Sequence, residues 1–214
     1  MPENGKRKGW KRFLLSDALT TRNKSHKITA IGVMTALTIV TNFFEFKLFD
    51  NQFSLTIAVA VLTGIILGAL FGFTACVVGD FIGFLFNPYN LYMPWVGLST
   101  GMFAFLGGLI FNGFPSGKWS VWIKLSVISL LTFAVCTIGI NSTGFYFYNK
   151  AIGFSTSLVE YISQRFGGGV SFWGYVIYRL FFKGQIWNSL FNYALLFIAL
   201  PALGKIKLSG NLRK

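Results

Sequence analysis

Two ionisable side chains stand inside apolar stretches of this sequence. Asp80 lies in Gly79-Asp-Phe-Ile-Gly83, and Arg179 lies in Tyr178-Arg-Leu180. A charge at the centre of a bilayer costs about 2.5–3.5 kcal/mol even on lenient scales, so such residues face a partner or a cavity. Asp80 has two readings: a structural residue hydrogen-bonded within a helix bundle, or a contact to ligand or coupling machinery. Arg179 also has two: it snorkels to the interface, or it faces inward and grips an anion or a carbonyl. Other chemistry is sparse. The single histidine, His26, sits in a polar N-terminal region, and Cys76 and Cys136 lie within apolar runs, where they read as small buried hydrophobes. No group of His, Cys and carboxylates has metal-site spacing, and no cofactor is expected. No Ser/His/Asp set can be assembled. The nearest approach to a phosphate-binding loop, Gly113-Phe-Pro-Ser-Gly117-Lys118-Trp119, is one residue short and carries Trp where Ser or Thr would bind magnesium.

Rings and amides carry more information. Phe43 and Phe46 gather after the first apolar run, Tyr89, Tyr92 and Trp95 near the middle of the chain, and Phe145 and Tyr146 beyond residue 140. Asn42, Asn87, Asn90, Asn141, Asn188 and Asn192 fall near the same level. An aromatic belt at the membrane interface would give such rings, but a belt should mark both faces, and the other face offers mainly Trp10, Trp119 and Trp122. The asymmetry points to a ligand cavity on one side, lined by rings that supply area and amides that orient the ligand. Asn42, Phe43, Phe46, Tyr89, Asn90, Tyr92, Trp95, Asn141, Phe145, Tyr146, Arg179 and Asn188 are its expected lining.

The elements that must position these residues follow from charge and hydropathy. The 214-residue chain is 54% hydrophobic and only 12% charged, about half the charge of a soluble domain. Its formal charge of +13 is concentrated at the ends, as in a membrane protein with basic termini. A nucleic-acid protein would need a basic face on a soluble core, and none is available. Stretches of about 20 apolar residues span a roughly 30 Å hydrocarbon core. They fall at 28–44, 53–71, 73–86, 93–111, 121–140 and 186–203, the last extendable backward through 174–182. Basic residues favour the cytoplasm, which places both ends, and the connection flanked by Lys118 and Lys124, inside. The expected fold is an all-α membrane protein of six transmembrane helices with both termini cytoplasmic. A basic arm (1–27), a membrane domain (28–205) and a basic tail (206–214) divide the chain. The arm lacks the pattern of a cleavable signal; its residues 10–18 read either as an interfacial helix or as a disordered tail. The membrane-external segments would be 45–52, 87–92 and 141–173.

Two small-residue stripes stand out: Gly32-x-x-x-Ala36, and Gly64-x-x-x-Gly68-x-x-x-Gly72. Such faces let helices approach closely in lipid, either within the chain or against another subunit.

Taken in order, these pieces resemble a known family. They are Gly32-x-x-x-Ala36; Gly64-Ile-Ile-Leu-Gly68-Ala-Leu-Phe-Gly72; Gly79-Asp80-Phe-Ile-Gly83; Asn87-Pro-Tyr-Asn-Leu-Tyr-Met-Pro94; Tyr178-Arg179-Leu; Lys183-Gly184; and Leu200-Pro201-Ala-Leu. Over residues 28–205 the chain resembles the substrate-binding S-component of energy-coupling factor (ECF) vitamin transporters, in particular the folate-type group. The resemblance implies a six-helix protein that captures a vitamin from outside. It implies a transmembrane coupling subunit and two cytosolic ATPases as partners, with Gly32 and Ala36 meeting the coupling subunit, and no enzyme activity in this chain. Folate-type members carry an arginine where this chain has Asn42, the turn before Pro94 is altered, and the segment 155–172 is long. These departures place cobalamin or a related corrinoid ahead of folate, with another vitamin as a further alternative. A membrane-embedded enzyme and a non-transporting scaffold are the more distant readings.

Overall fold

A computed structural model of the chain describes residues 23–43, 45–48, 51–86, 91–114 and 120–205, with positions 14 and 16 besides. Tyr89, Asn90, the tail 206–214 and nearly all of the arm lie outside these residues, as does the side chain of Phe46. Helices α1 (Lys24–Thr41), α2 (Thr56–Leu67), α3 (Ala69–Phe86) and α4 (Pro94–Gly113) come first, with strands β1 (Glu45–Leu48) and β2 (Asn51–Ser54) between α1 and α2. Helix α5 (Ser120–Thr132) then runs through a π-helical segment (Phe133–Ser142) into α6 (Thr143–Ile152). Helices α7 (Thr156–Phe166) and α8 (Phe172–Ile177), a second π-helical segment (Tyr178–Phe182) and α9 (Gln185–Lys205) complete the chain.

The bundle is helical, as composition demands, because every backbone group in lipid must be paired within its own segment. Three helical stretches, Ala69–Phe86, Pro94–Gly113 and Val121–Ile152, are long and apolar enough to cross a bilayer. The sequence reading differs from the structure at several points. The segment expected to lie outside the membrane, 45–52, belongs to an antiparallel hairpin, with Phe46 opposite Phe53, so α2 starts only at Thr56. The break after α2 falls at Gly68, not Gly72. Gly68 has φ of 89°, a conformation that a side chain opposes, and it reverses the chain so that α3 packs back on α2. A Cβ on Gly72 would stand 2.6 Å from Gly64 Cα, and one on Gly108 would stand 2.5 Å from the Gly64 carbonyl oxygen. The second small-residue stripe is therefore consumed by contacts among α2, α3 and α4.

The fifth run does not end at 140. The helix from Val121 to Ile152 has 32 residues, about 48 Å at a rise of ~1.5 Å per residue, and overshoots a roughly 30 Å core. The overshoot, with α7 and α8, folds into a helical cap with its own core of Leu158, Ile162, Tyr175 and Tyr178. The expected backward extension of the last run is interrupted. Gly184 has φ of 68° and separates the second π-helical segment from α9.

The main core joins α2, α4, α5 and α9 through Val61, Phe103, Ala104, Leu125, Ile128 and Leu196. Lys124 is buried against the end of α4, where its Nζ donates to the carbonyls of Phe111 (3.0 Å) and Phe114 (2.8 Å). A cation there complements the partial negative charge of a helix C-terminus.

Candidate functional site

The capped end of the bundle is assembled by two asparagines four residues apart on α9, which places them on one helix face. Asn188 Oδ1 accepts from the Ser54 N–H at 3.0 Å. Asn192 Oδ1 accepts from the Ala58 N–H at 2.9 Å, and its Nδ2 donates to the Ser54 carbonyl at 2.7 Å. These amides serve backbone groups at the start of α2 that no intrahelical bond reaches, and they pin the hairpin to α9. The spacing Asn188-x-x-x-Asn192 was visible in sequence; the role of Asn192 was not.

A second cluster forms where the first turn of α4 meets α6. Trp95 packs its indole against Phe145 (5.7 Å between centroids) and Tyr148 (5.8 Å). Gly144 makes room for it, since a Cβ there would stand 2.6 Å from Trp95 Cδ1. Arg179 turns inward rather than toward the interface. Its guanidinium lies 4.3 Å from the centre of the Phe145 ring, and its Nη1 donates to the Asn141 carbonyl at 2.9 Å. A desolvated cation over a ring gains about 2 kcal/mol, and an arginine has five N–H donors in a planar fork. Asn141 belongs to the first π-helical segment. Tyr146 turns the other way into the cap, against Phe154 (5.9 Å), Phe172 (5.4 Å) and Tyr175 (5.6 Å). Asn149, which the sequence reading passed over, donates to the Tyr175 hydroxyl at 3.0 Å.

The expected lining is thus divided. Trp95, Asn141, Phe145 and Arg179 come together. Asn42 stands apart at the end of α1, its Nδ2 3.5 Å from the Gly79 carbonyl of α3, and Phe43 beside it is exposed. Tyr92 also belongs to α3's surroundings: its hydroxyl is hydrogen-bonded to the Asp80 carboxylate, and its ring meets Phe81 (5.3 Å) and Phe84 (5.2 Å).

Polar satisfaction separates the same two regions. Six buried side-chain atoms have no hydrogen-bond partner among the described residues: Trp95 Nε1, Ser129 Oγ, Thr137 Oγ1, Asn141 Oδ1, Tyr178 OH and Ser189 Oγ. All six lie on α4, α5 with its π-helical continuation, the second π-helical segment or α9; none lies on α1–α3. Buried groups of this kind are uncommon and call for a partner. Four are hydroxyls, and the indole N–H and the amide oxygen add a donor and an acceptor.

On α1 the first small-residue stripe remains open. Gly32 has no atom within 4 Å of the place its Cβ would occupy, and Ala36 is exposed. Ile28, Val33, Leu37 and Val40 surround them with exposed apolar surface.

Comparison with known proteins adds the following. A family model described as "ECF-type riboflavin transporter, S component" matches residues 22–195. No curated protein matches. Among solved structures, the crystal structure of FolT bound with folic acid is similar with a TM-score of 0.54 at 19% sequence identity. The similarity covers 86% of this chain and 94% of that one, and at this identity it speaks for a shared fold.

Proposed function

Because this chain belongs to the S-component family of ECF-type riboflavin transporters, we propose that it captures riboflavin at the junction of α4, the α5–α6 helix, the second π-helical segment and α9. The chain is a multi-pass membrane protein and a substrate-binding transport subunit, not an enzyme; ATP hydrolysis belongs to partner subunits. The observation that carries the ligand assignment is the set of six unpartnered buried polar atoms in this half of the bundle. A flat heteroaromatic ring with a polyhydroxyl tail matches it: the indole N–H, the Asn141 amide and Arg179 suit the carbonyl and imide edge, and the hydroxyls suit the tail. Trp95, Asn141, Phe145 and Arg179 are the contacts proposed for the ring. Tyr146 and Asn188 support the site from behind, whereas Asn42, Phe43 and Tyr92 stand apart on the α1–α3 side; Phe46, Tyr89 and Asn90 stay proposed contacts on the sequence alone.

Folate is the second reading, favoured by the fold likeness to FolT and by the inward Arg179. Two carboxylates would leave one anion poorly matched by a single arginine. Cobalamin falls behind both: of the departures that favoured it, the long segment 155–172 is no open lid but part of a compact helical cap with its own core.

The proposed topology is six spans (α1, the short α2, α3, α4, α5 with its π-helical continuation, and α9) with both basic ends cytoplasmic and the cap outside. The arm 1–27, membrane domain 28–205 and tail 206–214 remain the proposed division. The transmembrane coupling subunit is proposed to dock on Gly32 and Ala36, with two cytosolic ATPases completing the importer.

The test is calorimetry on the purified protein with riboflavin, folic acid and cobalamin. Saturable one-to-one binding of riboflavin well below micromolar, with the others at least tenfold weaker, is expected. Tighter binding of folic acid or cobalamin would overturn the ligand assignment.

A further inference from the structure

We propose that Asp80 is a positioning residue for ligand capture, holding Tyr92 against α3 and so fixing the first turn of α4 that presents Trp95 to the ligand. The inference rests on the placement of the site at Trp95 and Arg179, but the latch itself is visible without it.

Asp80 is 9% exposed in the middle of α3, where an unpartnered carboxylate would be costly. Its side-chain partner is the hydroxyl of Tyr92. The Tyr92 ring is held between Phe81 and Phe84 of the same helix, at 5.3 and 5.2 Å. A glycine completes the junction: a Cβ at Gly97 of α4 would press on the Tyr92 hydroxyl and stand 3.0 Å from Asp80 Oδ2. The carboxylate and hydroxyl therefore sit directly against α4. Tyr92 is followed by Met93, whose carbonyl accepts from the Val96 N–H at 2.9 Å, and by Pro94 at the helix start. Proline fixes φ there and stiffens the link. Trp95, three residues beyond Tyr92, then projects to Gly144 and Phe145. A fixed hydroxyl at one end of this short, stiff segment sets the position of the indole at the other. An acid buried only for bundle stability would need a donor; it would not need that donor to lie on the segment leading into the ligand site.

Tyr92→Phe removes the hydroxyl and keeps the ring between Phe81 and Phe84. Asp80→Ala removes the acceptor, and Asp80→Asn retains an oxygen that accepts from Tyr92. Two readouts are measured in detergent-purified protein. The first is acrylamide quenching of Trp95 in a background where the other five of the six tryptophans are Phe. The second is riboflavin affinity, with folic acid in parallel. Tyr92→Phe and Asp80→Ala should each raise Trp95 quenching at least twofold and weaken binding about tenfold, the scale of a hydrogen bond to a charged group. Asp80→Asn should restore most of both, and each variant should still co-purify with the coupling subunit. Unchanged Trp95 quenching in Tyr92→Phe overturns the latch whether or not either vitamin binds. If instead Arg179→Ala leaves binding intact while Tyr92→Phe moves the indole, the latch stands and the site reading fails.

Discussion

The two sides of this bundle treat their polar and small residues in opposite ways. On α1–α3 each buried polar side chain described has an internal partner: Thr38 donates to Thr35 and Ala75 carbonyls at 2.7 and 3.5 Å, Thr41 to Thr38 at 2.8 Å, and Asp80 is bonded to Tyr92. On α4–α9 six buried polar atoms lack one among the described residues. The small residues differ as well. Gly64 and Gly72 are pressed between neighbouring backbones, whereas Gly32 faces open space. One side is internally complete and offers a smooth apolar face; the other is incomplete in a way that a polar, flat ligand would satisfy. Similar motifs in the sequence thus serve different ends, and what distinguishes them is whether another segment of the same chain covers them.

The contrast can be broken in three places. The largest effect is expected from Gly64→Leu. Any Cβ at that position collides with the Ala104 carbonyl oxygen, and backbone cannot yield as a side-chain tip can. Overpacking at a backbone contact exceeds the usual range of about 1–3 kcal/mol, so no folded protein should be recovered by size-exclusion chromatography. The paired change Gly32→Leu and Ala36→Leu should leave thermal stability within about 0.5 kcal/mol, as for exposed sites, and leave riboflavin affinity unchanged. It should abolish ATP-driven uptake in cells carrying the coupling module. Unchanged uptake would remove the docking role from α1. The smallest of the three effects belongs to Arg179→Ala, a loss of about 30-fold or more in riboflavin affinity by calorimetry. That follows from truncating a hydrogen-bonded, largely desolvated charge, which costs about 2–5 kcal/mol.

Much of this architecture was legible in the sequence. Charge segregation and apolar runs marked an all-helical, multi-pass membrane protein, and the cost of isolated charges singled out Asp80 and Arg179. Trp95, Asn141, Phe145 and Arg179, which the structure brings together, were all among the expected lining residues. Three features were not legible. The hairpin at Glu45–Ser54 has two strands of four residues each, too short for alternation to stand out beside the flanking apolar runs. The π-helical segments Phe133–Ser142 and Tyr178–Phe182 carry no sequence mark, because their apolar composition is that of the flanking α-helical turns. The runs 53–71 and 73–86 put the reversal at Gly72; both glycines lie on one stripe, and only the φ of 89° at Gly68 shows which one breaks. Asn188 is an expected ligand contact by sequence, and in the structure its amide oxygen accepts from the Ser54 N–H. Side-chain amides near a helix end are ambiguous between ligand and backbone until the neighbouring segment is placed.

The most direct measurement is the position of bound riboflavin in a structure of the loaded protein. The account predicts the ring system against Trp95 and Phe145, within hydrogen-bond distance of Arg179 or Asn141, and the tail reaching hydroxyls of the α5–α9 interface. A riboflavin ring seated among α1, α2 and α3, with Trp95 Nε1 and Asn141 Oδ1 still unpartnered, would contradict it.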